Sequence, residues 1–301
     1  MGKFFVKCLM RFFGMFPLGF HYFNARWMAW LLYRVIGYRR EEVITNISRC
    51  FPEKGYDEIK AITQDFYRHF SELIVESIWF GACQNPKRLH KARIMENRDV
   101  AMMNALYDKC PSVMVMYSHT GNWELYGGYD NYDYSDEPKR SYEANFCVVY
   151  RQLSSKLWDD IIRLNRIAPV RDKEKFGGYV ESRKVARYVF EHKDQKMIYN
   201  INTDQRPYFS APYFVECDFL HHRVRTMSAA ASLAQKFGMA VVYLNLNRTR
   251  QGHYQMEYTL ICENAKEMTV EDMMQQFYTL LEADLRRNPA NYLWTHRRFM
   301  I

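Results

Sequence analysis

Apolar positions along the chain fall into two rhythms. Ile59, Ile62, Phe66, Phe70, Leu73 and Ile74 recur at helical spacing, which predicts a long amphipathic helix over roughly 57–80. Short apolar or β-rich runs at 113–117, 146–150, 196–202, 240–247 and 254–262 read instead as buried strands, with one more at 214–220. Helical patterns separate several of them. One covers 154–166, and a second spans 179–192, opened by Gly177-Gly178. A small-residue helix through Met227, Ala230, Ala231 and Ala234 is capped by Thr226 and stops at Gly238. Thr269-x-x-Asp272 opens a last helix that runs to Arg287 and turns Met273, Phe277, Leu280 and Leu281 inward. Residues 129–145, and 206–225 apart from the 214–220 strand, have no periodicity and read as irregular. Strands alternating with helices predict an α/β fold with a mixed, mainly parallel central sheet and helices on both faces.

The first 40 residues follow a different pattern. Bulky groups alternate with single bases, and Lys3, Lys7 and Arg11, four apart, share one helical face while Phe and Leu cover the other. The longest charge-free run, 12–25, contains Pro17, Gly14 and Gly19 and falls short of the roughly 20 apolar residues that span a bilayer. No small-residue cleavage site follows a compact apolar core. An amphipathic segment lying in the plane of an anionic membrane surface fits this pattern. A pair of helices packed on the domain fits it too, and both can hold at once. The expected division is an amphipathic membrane-associating segment, 1–40, and a main domain, 41–301.

Composition and charge narrow the reading. The 301 residues are 48% hydrophobic and 25% charged, a globular balance with room for a sizeable core. Aromatics reach 16%, which suits a protein that meets amphipathic surfaces as well as one with a rich core. Lys and Arg number 42 against 34 Asp and Glu, for a net charge of +8. Residues 1–40 hold seven bases and no acid, so the excess sits at the N-terminus. There it interleaves with Phe and Leu, which argues against nucleic-acid binding. The seven cysteines are scattered without a C-x-x-C pair, and His221-His222 lacks a ligand at metal spacing. Neither a disulfide framework nor a metal is expected, and no cofactor is implied.

Candidate chemistry centres on Ser118-His119-Thr120-Gly121-Asn122-Trp123-Glu124, directly after the buried run 113–117. On a continuous helix, His119 and Glu124 would point roughly 140° apart. A turn at Gly121 lets them face each other as a base and the carboxylate that orients it. Ser118 and Cys147 are candidate nucleophiles, but neither sits in a Gly-x-Ser-x-Gly elbow or beside a second base. The string resembles the His-x4-Asp/Glu signature of the glycerolipid and lipid A acyltransferase superfamily, particularly the late acyltransferases of lipid A biosynthesis. Further blocks resemble that family in the same order: Tyr150-Arg151-Gln152-Leu153, Thr203-Asp204-Gln205, and the closing Tyr292 to Phe299 with Trp294, His296, Arg297 and Arg298. Gln152 replaces the family's proline, and Phe299 stands where its last Trp does.

The resemblance implies an acyl group moved from an acyl carrier protein thioester to a hydroxyl of a lipid A precursor. The setting it implies is the cytoplasmic face of the inner membrane. His119 is then the general base, Glu124 its orienter, and Arg151 an oxyanion donor with the backbone amides of Gly121 and Asn122. Tyr150, Asp204, Gln205, Arg297 and Arg298 become substrate-binding residues, the arginines facing acceptor phosphates. Two alternatives stay open: an acyltransferase for another membrane lipid, such as a lysophospholipid or amino-acid lipid, and a non-catalytic peripheral membrane protein with this fold.

Overall fold

A computed structural model describes residues 2–153, 155–207 and 214–296. The chain opens with α1 (Gly2–Gly14) and α2 (Leu18–Trp30), which continues into a π-helical turn, Leu31–Ile36. α3 (Arg40–Cys50) and the long α4 (Tyr56–Cys83) follow. α1 and α2 lie along α4, where Trp79 Nε1 donates to the Phe16 carbonyl at 3.1 Å. α5 (Pro86–Ala92), β1 (Met95–Asn97) and α6 (Val100–Lys109) lead to β2 (Val113–Tyr117). After a buried 3-10 segment, Trp123–Asn131, come β3 (Phe146–Tyr150), α7 (Lys156–Ile167), β4 (Gly178–Glu181), α8 (Val185–Glu191) and β5 (Ile198–Asn202). The remainder is β6 (Phe214–Phe219), β7 (His222–Met227), α9 (Ala229–Phe237), β8 (Ala240–Arg250), β9 (His253–Cys262) and α10 (Val270–Arg287).

The main sheet has seven strands in the order β1-β9-β8-β2-β5-β3-β4. Every neighbouring pair in it is parallel except β8 with β9. β2 is central, and all five of its residues are buried. Met114 and Met116 enter one core, with Tyr243 and Phe277, while Val113, Val115 and Tyr117 enter the other, with Val242 and Leu244. That alternation follows from the two-residue period of a strand covered on both faces. The fold is thus the mixed, mainly parallel α/β architecture that the pattern predicts.

Three expectations are corrected. The helix expected over 179–192 begins only at Val185, because residues 178–181 pair with β3 as an edge strand. The segment read as irregular after 220 contains β7, which closes a hairpin with β6. Leu220 and His221 turn that hairpin at positive φ (46° and 67°) without the Asn or Gly that normally marks such a turn. Thr226 is consequently a strand residue whose Oγ1 donates to the Thr203 carbonyl at 3.0 Å, and Ser228 occupies the cap position of α9.

Candidate active site

Strand register assembles the site. β2 and β5 run parallel with Tyr117 opposite Asn202, and the Thr203 amide extends the ladder to the Tyr117 carbonyl at 2.8 Å. Two residues beyond each strand stand His119 and Asp204, and the register brings them side by side. His119 Nδ1 lies 2.8 Å from Asp204 Oδ1, and the His119 amide donates to Asp204 Oδ2 at 3.2 Å. The Asp204 side chain is fully buried and that of His119 is 9% exposed. A proton on Nδ1 donated to the carboxylate leaves Nε2 as an acceptor, the arrangement of a general base. Trp123 and His296 flank the imidazole, with ring centroids 5.1 and 5.3 Å away. Burial, then the nearby His119, lowers the pKa of His296, which favours its neutral form.

The turn that carries His119 is pinned from behind. Gly121 has φ +55°, and a Cβ there would run into the Leu246 carbonyl, so no other residue fits unstrained. Its amide donates to the Asn291 backbone oxygen at 3.1 Å and to Asn291 Oδ1 at 3.2 Å. Asn291 Nδ2 in turn donates to the Leu246 carbonyl at 2.9 Å. The segment after Asn291 runs alongside, the Leu293 amide donating to the His119 carbonyl at 3.1 Å. α3 clamps its far end: Asn46 Nδ2 donates at 2.9 Å to the carbonyls of both Trp294 and His296.

Glu124 does not reach His119. The chain enters a 3-10 helix at Trp123, and the Glu124 carboxylate turns toward α7. There it takes two hydrogen bonds from Arg166, at 2.5 and 3.2 Å, and one from Trp123 Nε1 at 3.2 Å. The orienting position expected for Glu124 is occupied by Asp204, and Glu124 holds an arginine at the cavity wall. Arg166 also stands over the Tyr150 ring, 5.2 Å from its centroid.

A cavity of about 530 Å³ opens above His119. Glu124, Tyr150, Arg151 and Gln205 all line it. Gln205 Nε2 lies 3.5 Å from His119 Nε2. Gly121 and Asn122 are absent from that lining: the Gly121 amide is taken by Asn291, and Asn122 donates to Glu76 at 2.7 Å. The Gly121 amide and the Asn122 side chain are thus both engaged behind the imidazole. Arg297 and Arg298 lie outside the described residues. Ser118 is buried and donates to Thr120 Oγ1 at 3.2 Å. Burial pushes the Cys147 thiol up to about 12, and it does not line the cavity. Neither is an activated nucleophile.

Among the lining residues, the motif reading leaves Arg166, Tyr179 and Arg206 unmarked and assigns His296 no role. Arg166 has no local signal, being one base in an amphipathic helix. His296 sits within the closing block. The His119–Asp204 pair had a signal that local spacing does not carry: both follow predicted parallel strands at the same offset.

A histidine-carboxylate pair stands at the C-terminal ends of parallel strands, under an open cavity, where such sheets usually present ligand-binding groups. The chain belongs to the bacterial lipid A biosynthesis acyltransferase family, whose model matches residues 1–130 and 195–300. It is therefore an acyltransferase of lipid A-type substrates. Both matched segments reach the site, contributing His119 and Glu124 from the first and Asp204 and Gln205 from the second. Tyr150, Arg151 and Arg166 come from the unmatched stretch between them. No curated protein matches the chain.

Proposed function

We propose that the protein transfers a fatty acyl chain from an acyl carrier protein thioester to a hydroxyl of a lipid A precursor at the cytoplasmic face of the inner membrane. The observation that carries this reading is the buried His119–Asp204 pair beneath the cavity, 2.8 Å apart, in a chain of this family. A sugar hydroxyl is a poor nucleophile at neutral pH and needs a base within hydrogen-bond reach. His119 Nε2 takes the hydroxyl proton as the oxygen attacks the thioester carbonyl. Asp204 holds the ring and stabilises the imidazolium. Arg151 at the cavity wall is the donor for the tetrahedral oxyanion. The intermediate collapses, the carrier's thiolate leaves, and the imidazolium returns the proton to sulfur.

Glu124 and Arg166 form the wall on which the substrate rests, with the guanidinium aligned by the carboxylate. The N-terminal excess of positive charge suits both an acidic carrier and an anionic bilayer. Mass spectrometry of lipid A from cells with and without the gene tests the reading. Loss of one acyl chain per lipid A on deletion is expected. Unchanged lipid A with one acyl chain missing from another membrane lipid would move the acceptor to that lipid.

A further inference from the structure

The carboxylate of Glu76, on α4, is completely buried, and no cation pairs with it among the described residues. Three donors converge on it from three different elements. The Tyr22 hydroxyl, on α2, donates to Oε1 at 2.9 Å. The Tyr254 hydroxyl, on β9, donates to Oε2 at 2.9 Å, and Asn122 Nδ2 donates to the same oxygen at 2.7 Å. Its nearest like charge, Glu72, is already held by Arg248 through bonds of 2.7 and 2.8 Å. A carboxylate buried without a counter-ion is expensive, and a glutamine could fill the same space. What the three-donor arrangement does is fix Asn122, three residues after His119.

We propose that Glu76 is a positioning residue for acyl transfer, holding the His119–Asn122 turn in place through the Asn122 side chain. Asn291 secures the Gly121 side of this turn, as described above. Asn122 is the next residue, and its φ/ψ of −104° and 74° are not helical. Its side chain is what ties this corner to α4. Release of the corner lets the His119 ring drift from Asp204 and from the substrate oxygen. Misplacement by about 1 Å at such a site costs on the order of a hundredfold in rate.

The test uses the full-length enzyme and variants of Asn122, Glu76 and Tyr22. The kinetic arm rests on the acyl-transfer reading and follows kcat and KM for acyl carrier protein thioester and lipid A precursor. The second arm needs no substrate: it follows the low-field proton resonance of the His119 Nδ1–H bonded to Asp204. Asn122→Asp sets two carboxyl groups against each other, so kcat should fall at least about tenfold with KM within about threefold, and the resonance should broaden or vanish. Glu76→Gln alone keeps an acceptor oxygen for Asn122 and should hold kcat within about threefold. In the Asn122→Asp background, Glu76→Gln supplies a donor to the new carboxylate and should restore both readouts. Tyr22→Phe removes a donor without touching the turn and should leave the resonance intact.

Failure of Glu76→Gln to restore either readout in Asn122→Asp overturns the proposal. So does Tyr22→Phe losing the resonance as completely as Asn122→Asp. If the wild-type enzyme transfers no acyl group, the functional reading fails, and the resonance still decides the role of Glu76.

Discussion

In the proposed mechanism His119 is the base, and its environment gives two expectations. His119→Ala should lower acyl transfer at least about a hundredfold, the usual scale for loss of a general base, with membrane binding unchanged. Asp204→Asn keeps the volume but loses the charge that steadies the imidazolium, so kcat should fall by a comparable factor with little change in KM. Glu124 belongs to a different interaction. Its carboxylate and Arg166 are 19% and 12% exposed at the side chain, so each leaves the other unpaired when removed. Glu124→Gln should destabilise by about 3 kcal/mol, and a double-mutant cycle with Arg166→Met should show a coupling of at least about 1 kcal/mol in urea denaturation. Additive effects would mean that the pair is incidental. At this scale the candidate base is legible in the motif, and the carboxylate hydrogen-bonded to it is not. Five positions of sequence separate His119 from Glu124, whereas 85 separate it from Asp204, and only sheet register makes the distant pair the close one.

The elements show why. The buried runs at 113–117 and 146–150 were readable because they are short stretches of β-branched and apolar residues, and the strands match the expected bounds. The long helix was readable from its stripe, and Thr269 caps α10 by accepting from the Asp272 amide at 3.0 Å. The 178–181 strand was hidden because its pairing with β3 overrides a local pattern that also suits a helix. The β6–β7 hairpin was hidden because Leu220 and His221 carry positive φ against their own preference. Gly121 is the opposite case, a position where local sequence and tertiary contact agree. Gly121→Ala meets both positive φ and the Leu246 carbonyl, and should cost about 1–3 kcal/mol together with most of the activity.

α4 brings a pH dependence. Burial pushes the Glu76 carboxyl up from 4.5 to about 7. A raised carboxyl pKa means that the folded state binds the proton more tightly than the unfolded chain. Its contribution is therefore present at low pH and lost as pH rises from 4.5 through 7, by about 3 kcal/mol. His69 acts in the other direction: burial, then Arg248, lowers it from 6.5 to about 3, so stability is lost as pH falls through that range. Comparing Glu76→Gln with wild type isolates the first effect. The variant should gain in relative stability between pH 5 and 8 in urea titrations. A constant difference across that range would show that Glu76 keeps an ordinary pKa.

For the whole molecule, the N-terminal helices combine two properties that the pattern left side by side. They pack on α4, and they leave Phe4, Phe12, Phe20, Phe23, Trp27 and Trp30 exposed. Among the described residues no helix is long and apolar enough to cross a membrane. Exposed aromatics on helices that also carry bases fit a surface that enters the interface of an anionic bilayer, each base adding on the order of 1 kcal/mol within a Debye length. Co-sedimentation with anionic vesicles should therefore weaken as salt rises when Lys3, Lys7 and Arg11 are intact. Their replacement by Gln should reduce binding to anionic vesicles far more than to neutral ones. Binding indifferent to both salt and lipid charge would rule out this electrostatic part.

The central claim is that His119 removes the proton from an acceptor hydroxyl while an acyl chain leaves its carrier. Its most direct test follows purified wild-type enzyme and a folded His119→Ala variant by mass spectrometry, with acyl carrier protein thioester as donor and a lipid A precursor as acceptor. The wild type should add one acyl mass to the acceptor, and the variant should do so at least about a hundredfold more slowly. Equal rates from the two proteins, or no mass gain with the wild type, would contradict the account.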